Sequence, residues 1–600
     1  MRLWWNRLWQ RLTKNSEPKK RSRPSNTTPL RLELLEDRSV PATFLVRDIV
    51  VGTASSSPQM LAEVNGTVYF SAFHPSFGVE LWRSDGTSSG TVLVRDIRPG
   101  TAGSYPSVLT NVNGTLFFRA NDGTRGFELW RSTGSSTGTV LVRDIRLGSA
   151  DGIPLPAWLT NVNGTLFFRA TNGTHGVELW KSNGTSTGTM LVKDIRPGSA
   201  DSSPSQLVNV SGTLFFRADD GSVGPELWKS NGSSAGTVLV KDIQAGAPGS
   251  AIHYLTNVNG TLFFLANDGA AGSELWRSNG TAANTMMVKD IRSGLLGSGI
   301  RSLTNVSGTL FFTANDGTHG RELWRSDGTA AGTLLVADLV AGNGNSSPQS
   351  LANVNGTLFF AASDPAAGTE LWKSNGTAST TVLVKDINPG AFSSSPTNLV
   401  NVNGTLYFAA FAPTSGRELW RSHGTPSGTT LVKDIRVGSD DSLSLQAWLT
   451  NVAGNLFFQA NNGTRGTELW RHVAQPAKVV QVSVPPNGHR VTGNVLTFQV
   501  FFNQPVFVTG TPYLQIIIGS TVRNVPYITG SGTQRLVFRY TIVSNDHDTN
   551  GIAFRQYPSG SGKTTIFRPS GSTIKDADGV SVTTSNLSFV APNLSGITVN

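Results

Sequence analysis

The chain has 600 residues, with 65 Gly, 30 Phe, 14 Trp and no Cys, and 15% of its residues are charged. That much aromatic surface excludes a chain disordered throughout, and the lack of Cys excludes disulfides, thiolate metal centres and cysteine nucleophiles. The net charge of +10 is uneven: residues 1–40 hold 10 basic and 4 acidic side chains, residues 478–600 hold 9 and 4, and the span between them is left at −1, so the basic balance does not argue for nucleic acid.

Residues 1–42 read as a disordered, basic export segment. Trp5, Leu8, Trp9 and Leu12 fall at helical spacing with Arg7 and Arg11 on another face, the pattern of a membrane-surface helix. The apolar core of an ordinary signal peptide is missing, and no run of about 18 apolar residues marks a transmembrane segment. Leu35-Glu36-Asp37-Arg38-Ser39-Val40-Pro41-Ala42 resembles the L-E-x-R-x-x-P-A segment near the start of many large bacterial surface proteins; the resemblance implies export by an unusual signal.

Residues 43–475 are repetitive. Glu-Leu-Trp occurs nine times, with Trp at 82, 130, 180, 228, 276, 324, 372, 420 and 470, at spacings of 48 or 50 residues. Each unit predicts four short strands: one before Asn-Gly, one through Leu-Phe-Phe, one at Glu-Leu-Trp and one at Leu-Val-Arg-Asp-Ile. Asn-Gly between apolar runs, as at Asn113-Gly114, is a hairpin signal because both turn residues need positive φ. Adjacent Phe117 and Phe118 point to opposite faces of their strand, so both faces need cover, as in a blade stacked between two others.

The ends are complementary. Leu45-Val46-Arg47-Asp48-Ile49 has no Glu-Leu-Trp before it, and Glu468-Leu469-Trp470 has no Leu-Val-x-Asp-Ile after it. The first strand therefore supplies what the last unit lacks, which closes a ring and removes exposed sheet edges. The expected fold is all-β: a nine-unit β-propeller of four-stranded blades, closed by the N-terminal strand, then an immunoglobulin-like β-sandwich. Propellers have roughly four to eight blades, so an incompletely closed ring or a superhelix is the alternative.

Glu80–Thr87 and Glu322–Thr329 both read Glu-Leu-Trp-Arg-Ser-Asp-Gly-Thr, and the units resemble the ELWxxDGT repeat family of bacterial surface proteins. That resemblance implies a secreted or cell-surface location and no catalytic activity.

The recurring Glu, the Lys or Arg and the Asp of each unit are expected to pair within blades, because a charge repeated in register is a fold device and catalysis needs an asymmetric constellation. The Asp of Ser-Asp-Gly-Thr is replaced by Asn183, Asn231, Asn279, Asn375, His423 and Thr133, which suits a tight turn better than a metal ligand. No His pair has metal-ligand spacing. Asymmetry is the better clue to a site. The two 50-residue units share a Trp, Trp158 and Trp448, as candidates for stacking on a sugar ring or peptide. Arg119, Arg169 and Arg217 follow Phe-Phe in three successive units and form a candidate anionic-ligand patch, with pairing to nearby Asp as the alternative.

Residues 478–600 contain no Trp and no Glu, and strand-like runs recur at Val479–Val484, Leu496–Phe502, Tyr513–Ile518 and Arg535–Val543. This is a sandwich pattern. Thr509–Leu514 and Gly530–Thr533, with Leu536–Tyr540, resemble an immunoglobulin-like module of bacterial surface proteins. Asp546, Asp548 and Asn550 resemble the first half of a calcium loop, although Tyr557 stands where an EF-hand has Glu.

The sequence therefore predicts a non-enzymatic, secreted or surface scaffold or adhesion protein. It would bind an extracellular glycan or protein through propeller loops, with calcium as the one candidate cofactor and no nucleic acid partner. A propeller enzyme acting on polysaccharide, or a structural envelope component, are the alternatives.

Overall fold

The structure is a computed structural model that describes residues 42–473, 478–531, 533–576 and 581–600. The expected export segment, but for Ala42, lies outside the described residues. The described residues all belong to one compact unit.

The described residues are all-β apart from two single turns of helix, Ala378–Thr380 and Thr584–Leu587. Each repeat makes one four-stranded antiparallel sheet of propeller-like form. In the first sheet the strands are Gln59–Val64, Thr67–His74, Gly78–Ser84 and Val92–Arg95, hydrogen-bonded in that order. Nine such sheets follow one another. Their first strands are innermost: each lies against the first strand of the next sheet, and the last, Thr450–Val452, lies against Gln59–Val64.

The chain closes on itself as the half-units require. Ala42–Arg47 pairs antiparallel with Thr467–Val473, with Leu45 opposite Trp470. Across this closure the buried His472 meets Thr43 Oγ1 at 2.8 Å and Tyr407 Oη at 3.3 Å, and burial, aided by the charge of Arg421, pushes its pKa down to about 4.

The paired aromatic residues of each unit, Phe-Phe in seven units and Tyr-Phe at Tyr69 and Tyr407, explain the stacking. Phe117 packs with Leu166, Phe168 and Trp180 of the following sheet, and Phe118 packs with Tyr69 and Leu81 of the preceding one. Burying each Phe contributes about 1.5–3 kcal/mol, and alternation along the strand sends one to each neighbour. The hairpin signal also takes the expected form, with φ of 49° at Asn113 and 81° at Gly114.

Residues 478–600 form a seven-stranded sheet with two short two-stranded ladders beside it. Its long strand, Val495–Thr509, pairs with Val479–Ser483, Thr533–Thr541 and Thr573–Asp576. Tyr513–Ile518 runs as expected, and Thr521–Thr529 pairs with it although the sequence reading had missed that strand. Polar alternation hid it: Val525 is its buried residue, while Thr521, Val522, Asn524 and Pro526 are exposed. The core here, including Phe498, Leu514, Ile516, Leu536 and Phe538, shares no residue with the sheets before it.

Candidate binding face

The repeated charges join one sheet to the next. Each Glu of Glu-Leu-Trp is buried and reaches the loop that leads into the following sheet. Glu322 accepts hydrogen bonds from Leu339 N at 3.2 Å, from Ser346 N at 2.7 Å and from Ser346 Oγ. Glu468 does the same across the closure, to Ile49 N, Ser56 N and Ser56 Oγ. The Lys or Arg before Asp also crosses between sheets. Lys193 Nζ donates to Thr237 O at 2.9 Å and lies 5.7 Å from the Trp228 ring. The expectation of pairing within a blade holds in part: each Glu satisfies the N–H that follows its own unit's last strand, as at Leu339, but it also binds the loop entering the next sheet, and the Lys or Arg crosses to the next blade, which the sequence cannot show because those partners lie further along the chain.

The Ser-Asp-Gly-Thr turns are side-chain–backbone turns. Asp85 Oδ1 accepts from Thr87 N and Thr87 Oγ1, and Asn183 Oδ1 accepts from Thr185 N and Thr185 Oγ1. His423, at the same position, contacts Phe507 of the C-terminal residues at a ring distance of 5.2 Å.

The loops entering the inner strands make one end of the cycle, and the predicted site residues lie there. Trp158 and Trp448 share a backbone position with Met60, Val108, Gln206, Tyr254, Ser302, Ser350 and Asn398, all at φ of 52° to 58°. Both Trp are half-buried. Trp158 packs beside Val162, Leu207 and Trp228, and its buried Nε1 has no hydrogen-bond partner among the described residues. The side chain that each insertion exposes is a leucine instead: Leu155 is 57% exposed and Leu445 is 66% exposed. In both insertions the inner strand keeps three residues, Thr160–Val162 and Thr450–Val452, because the added residues replace its first half by a loop.

Arg119, Arg169 and Arg217 occupy one position in three successive sheets but differ in partners. Arg119 is buried, donates from Nε to Ile153 O at 2.6 Å, pairs with Asp151 at 3.2 Å and lies 3.5 Å from the Phe127 ring centre. Burial lowers the pKa of Arg169, opposed by the charge of Asp201. Arg217 makes no ion pair or hydrogen bond among the described residues, and its Nε is buried.

Beside Arg119 is a pocket of about 550 Å³. Met60, Phe73, Val79, Tyr105, Pro106, Phe127 and Leu155 give it an apolar wall, and Gln59, Ser71 and Ser107 offer polar groups at its edge. Phe73 is 40% exposed and Tyr105 is 53% exposed, so large apolar side chains stand open to solvent here. The sequence reading missed these residues. Phe73 and Tyr105 vary from unit to unit, and their meeting depends on the loops of three neighbouring sheets.

In the C-terminal residues, Asp546 accepts from Arg523 Nε at 2.7 Å, Tyr540 Oη at 2.7 Å and Val543 N at 3.0 Å. Asp548 accepts from Gly519 N and Asn550 N. These donors occupy the oxygens that calcium would need, and Arg523 repels a cation there. Among the described residues no three His, Asp or Glu side chains gather as a metal site, and no helix is long and apolar enough to cross a membrane.

No protein-family model and no curated protein matches the chain. Solved structures with similar sheet arrangements include a prolyl endopeptidase at 13% identity and TM-score 0.35, covering 67% of this chain and 55% of that one. Prolyl oligopeptidase B from Galerina marginata matches at 9% identity and TM-score 0.35, covering 66% and 55%. A puromycin-hydrolysing peptidase from Mycobacterium tuberculosis matches at 8% identity and TM-score 0.30, covering 63% and 59%. The chain thus spans little more than half the length of these structures. The expectation of a non-enzymatic scaffold or adhesion protein is corrected on this finding. The matched structures are peptidases, so neither the adhesion role nor the absence of activity is kept. At these identities no activity or site residue is transferred either.

Proposed function

We propose that the protein captures polypeptide, seating an apolar side chain in the pocket bounded by Phe73, Tyr105, Phe127 and Leu155. The observation that carries this is the open apolar wall of that pocket, edged by hydroxyl and amide groups at the mouth of the inner strands. An apolar cavity with a few polar groups at its rim binds a side chain and fixes the backbone beside it. Leu155 belongs to one of the two insertions, which fits the tendency of insertions in repeat proteins to fall on the binding face.

In this proposal the cycle of sheets is a nine-bladed β-propeller over residues 43–475, closed by the strand at Ala42–Arg47. Residues 478–600 are an immunoglobulin-like module beside it. The resemblance of the repeats to the ELWxxDGT family supports work outside the cell or at its surface.

The test is fluorescence anisotropy with labelled peptides that carry a single Leu or Phe among small polar residues. Tyr105→Ala and Leu155→Ala are expected to weaken binding about tenfold each. Binding unchanged by both substitutions overturns the proposal. Mass spectrometry of the same peptides after incubation reads whether they leave intact or cut.

A further inference from the structure

At the capture face, seven residue pairs join the start of an inner strand to the second strand of the same sheet, and in the two sheets with insertions the entering loop takes that place. Gln59 stands opposite Ser71, Ser107 opposite Arg119, Ser205 opposite Arg217, His253 opposite Leu265 and Arg301 opposite Thr313. Gln349 with Ala361 and Thr397 with Ala409 continue the series, and backbone bonds join Arg169 to Ala157 and Gln459 to Ala447. The titratable members are all basic: three Arg on second strands, then His253 and Arg301 on inner strands. A span with a net charge of −1 thus carries a rim without a single acid.

Of the basic residues on that rim, only Arg119 has a carboxylate at ion-pair distance among the described residues. Arg119 has Asp151 at 3.2 Å, thirty-two residues further on; at the same offset from Arg169 stands Asp201, whose charge acts on Arg169 without an ion pair among the described residues. From Arg217 the offset gives Gly249. Arg217, like Arg169, keeps a half-buried guanidinium with no ion pair and an Nε without a partner among the described residues. The acids that do act on it are committed elsewhere. Asp219 pairs with Arg196 at 3.0 Å, and Glu226 accepts from Ile243 N, Gln244 N and Ser250 Oγ.

The neighbours of Arg217 extend the cationic surface. Burial, helped by the charge of Arg217, holds His253 below its ordinary pKa. The His253 and Tyr254 rings lie 6.1 Å apart, and Gln206 bonds to His253 Nδ1 and to Tyr254 N. Arg321 is pushed down first by burial and then by the like charge of Arg301, with Tyr254 opposing. Arg301 is exposed and has no ion pair among the described residues. Arg301 and Arg321 are like charges acting on each other, an electrostatic cost that a ligand's carboxylates relieve.

Resting on the capture of polypeptide proposed above, we infer that the captured segment is acidic, its side-chain carboxylates received by Arg217, Arg301 and Arg321, with His253 and Tyr254 as neighbouring hydrogen-bonding groups. The apolar pocket is lined by the first three sheets and their entering loops, and the basic residues stand on the next three, so a single extended segment is read by both. Guanidinium groups suit this task because they hold a carboxylate through two parallel hydrogen bonds.

The experiment measures anisotropy of two labelled peptides on the full chain. Both carry the same apolar residue; one is otherwise neutral and the other is rich in Glu. At low salt the acidic peptide is expected to bind about tenfold tighter. That advantage should fade toward roughly 0.5 M NaCl, where the screening length is short. Arg217→Gln together with Arg301→Gln should abolish the advantage and leave neutral-peptide binding and the melting temperature unchanged. Equal affinity for both peptides, or an advantage that survives the double substitution, overturns the acidic specificity while peptide capture stands. A sulphated oligosaccharide that binds this arc more tightly than the acidic peptide also overturns it. Failure of both peptides to bind removes the capture itself, and this inference with it.

Discussion

Glu128 differs from its eight counterparts in one partner. Where the others meet a Ser, as Glu80 meets Ser104, Glu128 meets Gly152, whose lack of a side chain leaves the carboxylate without a hydroxyl donor. Burial pushes Glu80, Glu274 and Glu418 up to about 7 and Glu128 up to about 8 from an ordinary 4.5. A carboxyl whose folded pKa is raised contributes stability that is present below the unfolded pKa and is lost as pH rises through the folded one. Glu128→Gln removes that titration, so its destabilising effect should shrink between about pH 4.5 and about pH 8 and stay level above that. Calorimetry of both proteins across that range checks it; a growing effect would contradict the sign. Ala337 offers a second test. It stands where Lys193 reaches Thr237 and Trp228, and Thr381 and Trp372 occupy the matching places in the following blade. Ala337→Lys should add about 0.5–1 kcal/mol, read as a higher melting temperature. Trp158→Ala, by contrast, should cost about 2 kcal/mol through lost packing and leave peptide binding unchanged.

The closing strand carries more than its length suggests. Ala42–Arg47 covers the edge of Thr467–Val473, and the loop after it supplies Ile49 N and Ser56 to Glu468. Its loss leaves a flat apolar edge open to pairing with another chain. A protein lacking residues 1–47 should melt at lower temperature and elute as oligomers in size-exclusion chromatography; a monomer of unchanged stability would show that the closure is dispensable. Inner strands are joined by a second device. Asn161 Nδ2 donates to Asn111 O, Asn209 to Asn161 O and Asn257 to Asn209 O, while each Asn Oδ1 receives the N–H of the hairpin Gly three residues on. Asn209→Ala should cost about 1–3 kcal/mol because it strands two backbone groups, and a chemical denaturation midpoint reads this directly.

At the scale of the molecule, the core of residues 478–600 shares no residue with the blade clusters. Leu536→Ala creates a cavity in that core and should cost about 3 kcal/mol. Calorimetry should then show one transition lowered and the blade transition unmoved. Movement of both together would mean that the two parts unfold as one. The blades themselves form a series in which each buries its neighbour's aromatic side chains, so stability accrues at the interfaces between units.

The sequence by itself determined the repeat, the four strands of each unit, the Asn-Gly hairpins and the pairing of Leu45 with Trp470. Periodicity and complementary half-units are local patterns, and each has one good way to bury its Phe and Trp. The binding face was decided by tertiary structure. Trp158 and Trp448 were candidates because they sit in insertions, yet both are half-buried and Trp158 packs against the neighbouring sheet, while Phe73 from a strand and Tyr105 and Leu155 from two entering loops converge from different units. Arg119 and Arg217 are alike in sequence, and only the partner thirty-two residues on, Asp151 or Gly249, distinguishes a neutralised cation from a free one. Side-chain partnership across blades depends on distance in space, which a one-dimensional pattern does not encode.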